Sequence, residues 1–124
     1  MKSKIAVILV LFCAACGINK NEKKATVQGL YVTRFETEYS KGMDTIEITP
    51  LNSETGTFHY VHRVGFRRIS NGTLGLPEHK IENSTCVFNE NTAQLNEQTH
   101  GRIYSLTSDG NELVSGNSIY KRIQ

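Results

Sequence analysis

From Phe58 to Arg67 the chain alternates between two kinds of side chain. Phe58, Tyr60, His62, Val64 and Phe66 share one parity, and His59, Val61, Arg63, Gly65 and Arg67 share the other. Successive side chains of an extended strand point to opposite faces, so a period of two places the large apolar set on a buried side. A helix would scatter the same rings around its circumference. Thr45-Ile46-Glu47-Ile48-Thr49 repeats the alternation on a shorter scale. Further strand candidates are 30–35, 85–89, 93–96, 102–107, 112–115 and 118–123.

Between these runs lie turn signals: Lys41-Gly42, Asn52-Ser53, Ser70-Asn71-Gly72, Asn89-Glu90-Asn91, Asp109-Gly110-Asn111 and Gly116-Asn117. Asn and Gly reach positive φ at little steric cost, which suits tight hairpins. Short strands punctuated every 8–12 residues or so predict an antiparallel sandwich or barrel. The best helical stretch, 36–41, is too short to be stable alone and reads as a loop or single turn between the first two strands. The expectation is an all-β domain of about eight strands in up-and-down order, since closing such a meander removes exposed edges. Its core is expected to hold Tyr31, Ile46, Ile48, Phe58, Tyr60, Val64, Phe66, Phe88, Leu95, Tyr104, Leu106, Leu113 and Tyr120.

The first residues differ in kind from the rest. Lys2 and Lys4 precede an unbroken apolar run from Ile5 to Phe12, and Ala14, Ala15, Cys16 and Gly17 follow. A charged start, a short apolar stretch and small residues make a secretory signal. A spanning helix needs about 20 apolar residues, and this run ends too early. The expected organisation is a signal peptide over 1–15, a lipidated N-terminus and flexible tether over 16–26, and one domain over 27–124. Ala14-Ala15-Cys16 resembles the lipobox read by lipoprotein signal peptidase, which implies a lipid on Cys16 and a membrane as partner. Ordinary cleavage after Ala15 gives the same N-terminus but leaves an exposed thiol. Gly17 stands where a retention signal of some two-membrane bacteria has Asp, so the resemblance favours an outer-membrane, cell-envelope location. With Cys13 removed and Cys16 lipidated, Cys86 is left alone and reads as a small buried hydrophobe.

Gly29-Leu30-Tyr31 resembles the Gly-x-Trp opening of lipocalin-like barrels. The stretch from Arg102-Ile103-Tyr104 through Gly110, Leu113 and Gly116 to Tyr120-Lys121-Arg122-Ile123 is similar to the C-terminal halves of small lipocalin-like bacterial lipoproteins. The resemblance implies an eight-stranded barrel with Arg122 packed against the aromatic of the first strand. It also implies roles such as lysozyme inhibition or assistance to envelope assemblies.

The chemistry-bearing residues select no reaction. His59 and His62, three apart on a strand, point to opposite faces and cannot share an ion, so no metal is expected. His79 and His100 fall in expected loops. Gly-x-Ser-x-Gly elbows, glycine-rich phosphate loops and Cys-x-x-Cys pairs are missing, and the carboxylates are scattered. No catalysis and no cofactor are expected. The chain has 14 basic and 12 acidic side chains; Lys2 and Lys4 leave with the signal, so the remainder balances, and a nucleic-acid partner is not expected. His59, Arg63 and Arg67 share one strand face, with Gly65 opening a gap between the arginines. They are the candidate surface for an acidic partner, against the alternative of a solvated face paired with neighbouring carboxylates. The expected function is a binding module facing an envelope protein. The alternative is a lipocalin-like carrier of a small apolar ligand, set against the large inward side chains that would fill the barrel.

Overall fold

A computed structural model describes residues 27–52 and 54–124; the signal, Cys16 and the tether lie outside them. Eight antiparallel strands close into one barrel in up-and-down order. They are β1 (Gly29–Glu36), β2 (Ser40–Asn52), β3 (Thr57–Ser70), β4 (Thr73–Asn89), β5 (Gln94–Glu97), β6 (Ile103–Leu106), β7 (Glu112–Ser115) and β8 (Ser118–Arg122). Among the described residues there is no helix.

Closure rests on a short seam. Tyr31 and Val32 of β1 pair with Arg122 and Lys121 of β8. The Leu30 N–H donates to the Gln124 carbonyl at 3.0 Å, and the Ile123 N–H donates to the Leu30 carbonyl at 2.8 Å. The Arg122 guanidinium lies 5.3 Å from the centre of the Tyr31 ring, a cation–π contact. The Tyr31 hydroxyl donates to the Val27 carbonyl at 2.8 Å and fixes where the chain enters.

The strands differ greatly in length, and this shapes the molecule. At about 3.3 Å per residue, β3 reaches roughly 46 Å and β6 roughly 13 Å. β1 pairs with β8 only at 31–32, and β4 pairs with β5 only over 86–89. Beyond those points 33–36, 40–44, 64–70 and 73–81 continue as a four-stranded wing with two free edges. The wing extends from the end of the barrel opposite residue 27, because β1 enters at 27 and runs toward it.

The closed part holds the core: Val27, Tyr31, Ile46, Ile48, Phe58, Tyr60, Cys86, Leu95, Tyr104, Leu106, Leu113 and Tyr120, with Phe88 packed against it. Val64 and Phe66, expected in the core, are only half buried. Their parity is right, but they lie beyond the closure, where the wing has no opposite wall.

Three readings of the sequence need correction. Residues 73–84, assigned to no strand above, form most of β4, which also takes His79 out of a loop. Their inward set is Glu78, Lys80, Glu82 and Ser84, so no apolar alternation betrays them. Lys41-Gly42 is not a turn; Gly42 lies inside β2, paired with Phe35 and Phe66. The turn falls just before it, where the Thr37 hydroxyl accepts the N–H groups of Tyr39 and Ser40 at 3.2 and 3.1 Å. The glycine at 42 serves packing, since a Cβ there would collide with the Gly65 carbonyl oxygen on β3 and stand 2.8 Å from Cζ of Phe35 and from Cα of Phe66. At Ser70-Asn71-Gly72 the turn is as read: Asn71 and Gly72 have φ of 53° and 77° and join β3 to β4 in a two-residue hairpin.

Gly65 offers a contrast, for a Cβ there would make only ordinary contact with His79, at 3.4 Å or more. Gly42→Ala is therefore expected to destabilise the protein by about 1–3 kcal/mol through overpacking. Gly65→Ala is expected to stay within about 0.5 kcal/mol of wild type. Urea unfolding of the two variants checks this, and equal effects would contradict it.

Candidate functional site

The inward face changes character where the barrel opens. The last closed row is Tyr31, Ile46, His62 and Glu82, and the first row of the wing is Thr33, Asp44, Val64 and Lys80. Asp44, His62 and Glu82 thus come from three strands to two adjoining levels. β8 adds Tyr120, the segment before β6 adds Arg102, and the end of β5 adds Glu97.

These groups form a run of polar and ring contacts across the lumen. The Tyr60 and Tyr104 hydroxyls lie 2.6 Å apart, and the Tyr104 ring meets Tyr120 edge-on with centroids 6.0 Å apart. The Tyr120 hydroxyl donates to Asp44 at 3.1 Å, whose other oxygen accepts from Nε2 of His62. Nδ1 of His62 lies 3.3 Å from Nη1 of Arg102, which donates to Glu82 at 2.9 Å. His100 stands 3.6 Å from Glu82 and 3.4 Å from Glu97.

Glu97 is 1 % exposed, and it survives burial because it is saturated with donors. It accepts from the Ser84 hydroxyl at 2.7 Å and from the N–H groups of Thr99 and His100 at 2.6 and 2.9 Å. Burial alone would raise its pKa, but the Ser84 hydroxyl and these two N–H groups outweigh it and hold the carboxyl below its usual range. A buried charge is tolerated only in such company.

The contacts of this cluster tie strands together. An arginine can only donate, so Nδ1 of His62 is the acceptor and Nε2 carries the proton given to Asp44. In that neutral tautomer both ring nitrogens are hydrogen-bonded, and a second proton at Nδ1 displaces the Arg102 contact. The buried tyrosines stay protonated, since desolvation raises the pKa of Tyr60, Tyr104 and Tyr120. Burial, with Glu97 adding to it, pushes the Cys86 thiol up to about 12, and the thiol faces the Phe58 carbonyl at 3.8 Å. Among the described residues no group of three or more His, Cys, Asp or Glu is arranged to hold a metal ion.

The candidate strip lies outside. His59, Arg63 and Arg67 are all exposed on the outer face, and each has different neighbours. Arg63 pairs with Glu47 at 3.0 Å, as the alternative of a paired, solvated face described. Arg67 donates from Nε to the Gly75 carbonyl at 2.8 Å. His59 is paired with Thr49 and Thr85, at the level of the closed barrel. What joins Arg67 is a set mostly from other strands: Lys41 directly opposite on β2, and Arg34, Met43 and His79 in the adjoining row with Gly65 of β3 itself. Alternation within a strand gave each residue its face. Only the register between strands gathers them, and the polar cluster at the barrel mouth went unseen for the same reason.

Compared with known proteins, the chain matches no protein family, no curated protein and no solved structure.

The His62 environment carries a pH signature. The hydrogen bond to Asp44 is the largest influence and raises the His62 pKa, against the opposing effect of burial. The stabilisation it represents is complete below the ordinary histidine value and is lost as pH climbs through the raised one. The stability difference between wild type and His62→Gln is therefore expected to widen as pH falls from about 9 to about 6. Thermal melts across that range measure it, and a constant difference would contradict the account.

Proposed function

We propose that the chain is a lipid-anchored module of the cell envelope that binds a protein partner and carries out no catalysis. The observation that carries this reading is how the barrel spends its interior. An eight-stranded barrel either fills itself with side chains or holds one small ligand. Here the Tyr60, Tyr104 and Tyr120 rings follow one another at 5.9 and 6.0 Å across the lumen, with their hydroxyls in the polar chain. A filled, hydrogen-bonded interior supports recognition by the outside of the barrel. The wing supplies that outside, with free edges and exposed Leu74, Leu76 and Ile81 on β4.

A lipid on Cys16 complements the geometry. The chain enters the barrel at the end opposite the wing, so a membrane tether leaves the wing directed away from the bilayer. The carrier reading keeps one observation in its favour, a cleft on the concave side of the wing lined by Phe35, Val64, Phe66 and Lys80. That cleft is open along the wing edges, whereas a carrier encloses most of its ligand.

The test has two parts. In detergent phase partitioning, wild type is expected in the detergent phase and Cys16→Ser in the aqueous phase, since stable anchoring requires the lipid. A photo-crosslinking residue is then placed at Leu76 on the wing or at Thr92 in the turn at the opposite end. The Leu76 position is expected to yield a protein adduct of defined mass in envelope preparations, and the Thr92 position none. A stoichiometric small molecule retained in native mass spectrometry, without protein adducts, would reverse the reading in favour of a carrier.

A further inference from the structure

The outer face of the wing brings cations together without neutralising them. Lys41 and Arg67 stand directly opposite each other on β2 and β3, with Cβ atoms about 4.5–5.5 Å apart as in any such pair. Like charges in that relation destabilise a sheet. Arg34 lies on the neighbouring strand one row away. Among the described residues neither Lys41 nor Arg34 makes an ion pair, and Arg67 is held only through Nε. Glu36, the one carboxylate on these two rows, faces Lys41 but forms no ion pair with it. Over 27–124 carboxylates outnumber basic side chains, so this patch is no sample of a general positive charge.

The cations surround a depression. Gly65 has no side chain, and the gap it leaves between Met43 and His79 is the floor of a cleft of about 380 Å³. Leu74 and Pro77 close its far side. Met43, 42 % exposed, and Arg34 also border a second cleft, which runs along Val32, Ile119 and Ile123 beside the barrel seam. Apolar ground and unneutralised cations therefore alternate along one face.

We propose that this face docks an acidic segment of a protein partner, with a carboxylate bridging Lys41 and Arg67 and an apolar side chain entering the notch over Gly65. The proposal rests on the binding-module reading and names its surface and the chemistry of its partner. A bare phosphate would need donors converging on one point, whereas Arg34 stands a strand and a row away from the Lys41–Arg67 pair. The apolar floor would gain nothing from phosphate. A segment of carboxylates interleaved with aliphatic side chains satisfies both features. Bridging by a carboxylate also relieves the Lys41–Arg67 repulsion, so the free protein stands in a state that binding improves.

The probe is an acetylated peptide of alternating Glu and Leu, with its Gln–Leu counterpart and phosphatidylglycerol vesicles as controls, each titrated into the full chain and followed by amide NMR. The acidic peptide is expected to shift the amides around Arg34, Lys41, Gly65 and Arg67, and the Gln–Leu peptide to leave them in place. Lys41→Gln is expected to weaken binding about tenfold while leaving the unbound protein as stable as wild type or more so. Gly65→Leu is expected to block binding with the fold intact. Equal shifts with the Gln–Leu peptide, response to vesicles alone, or a destabilised Lys41→Gln would overturn the proposal. Should protein adducts at Leu76 persist unchanged in Lys41→Gln, this surface is wrong while the binding module stands. Loss of all adducts in wild type removes the module itself.

Discussion

The chain of polar contacts from Tyr60 to Glu97 is what allows strands so unequal to form one barrel. Strands β5 to β8 have four or five residues each and offer few backbone hydrogen bonds to hold the long sheet of β2 to β4. A small domain with a thin apolar core gains from buried groups that reach across it, provided each is satisfied. Here three such groups meet the requirement. Glu97 ties the β5–β6 turn to Ser84 of β4, Arg102 ties the start of β6 to Glu82, and Tyr120 ties β8 to Asp44 of β2. Apolar contacts alone would bring these strands together without fixing their level along the barrel.

The same arrangement explains why the wing exists. Once the short strands end, nothing stands opposite the long ones, and β1 to β4 continue on their own pairing. Their inward face grows mixed at that point: Asp44, Lys80 and Glu78 stand beside Val64, Phe35 and Phe66. On the proposed reading a barrel that fills itself leaves recognition to its outside, and the wing is the part of that outside with free edges. Its outward rows carry Arg34, Lys41 and Arg67 around Gly65, an arrangement that costs the free sheet something and has no role in closing the barrel.

Much of the fold could be read from the chain alone, and the limits have physical causes. Alternation at 45–49 and 58–67 identified strands because one face of each is buried in apolar company. It failed over 73–84, where the inward side chains are Glu78, Lys80, Glu82 and Ser84 and neither face looks like a core. Gly42 misled because glycine serves two purposes, and the one at work is room for the β3 backbone and the Phe35 ring rather than a turn. Val64 and Phe66 had the right parity but lie past the point of closure, which depends on the length of strands elsewhere. The polar cluster was invisible for a deeper reason. Asp44, His62, Glu82, Glu97, Arg102 and Tyr120 are scattered in sequence, and only the pairing of strands around the closed barrel brings them together. The outer patch obeys the same rule, for Arg63 and Arg67 share a face by parity, yet register gives Arg67 its company and gives Arg63 to Glu47.

Hydrogen exchange of wild type and Glu97→Gln tests most directly whether this polar chain holds the short strands to the long sheet. Glutamine keeps the shape but cannot accept from Ser84, Thr99 and His100 with a full carboxylate. The account predicts that amides of Leu95, Glu97 (as Gln) and Tyr104 exchange about tenfold faster in the variant, as expected for losing a bond to a charged group. Amides of Ile46, Ile48 and Tyr60, within the long sheet, should change far less. Unchanged rates in β5 and β6, or an equal acceleration throughout the barrel, would contradict it.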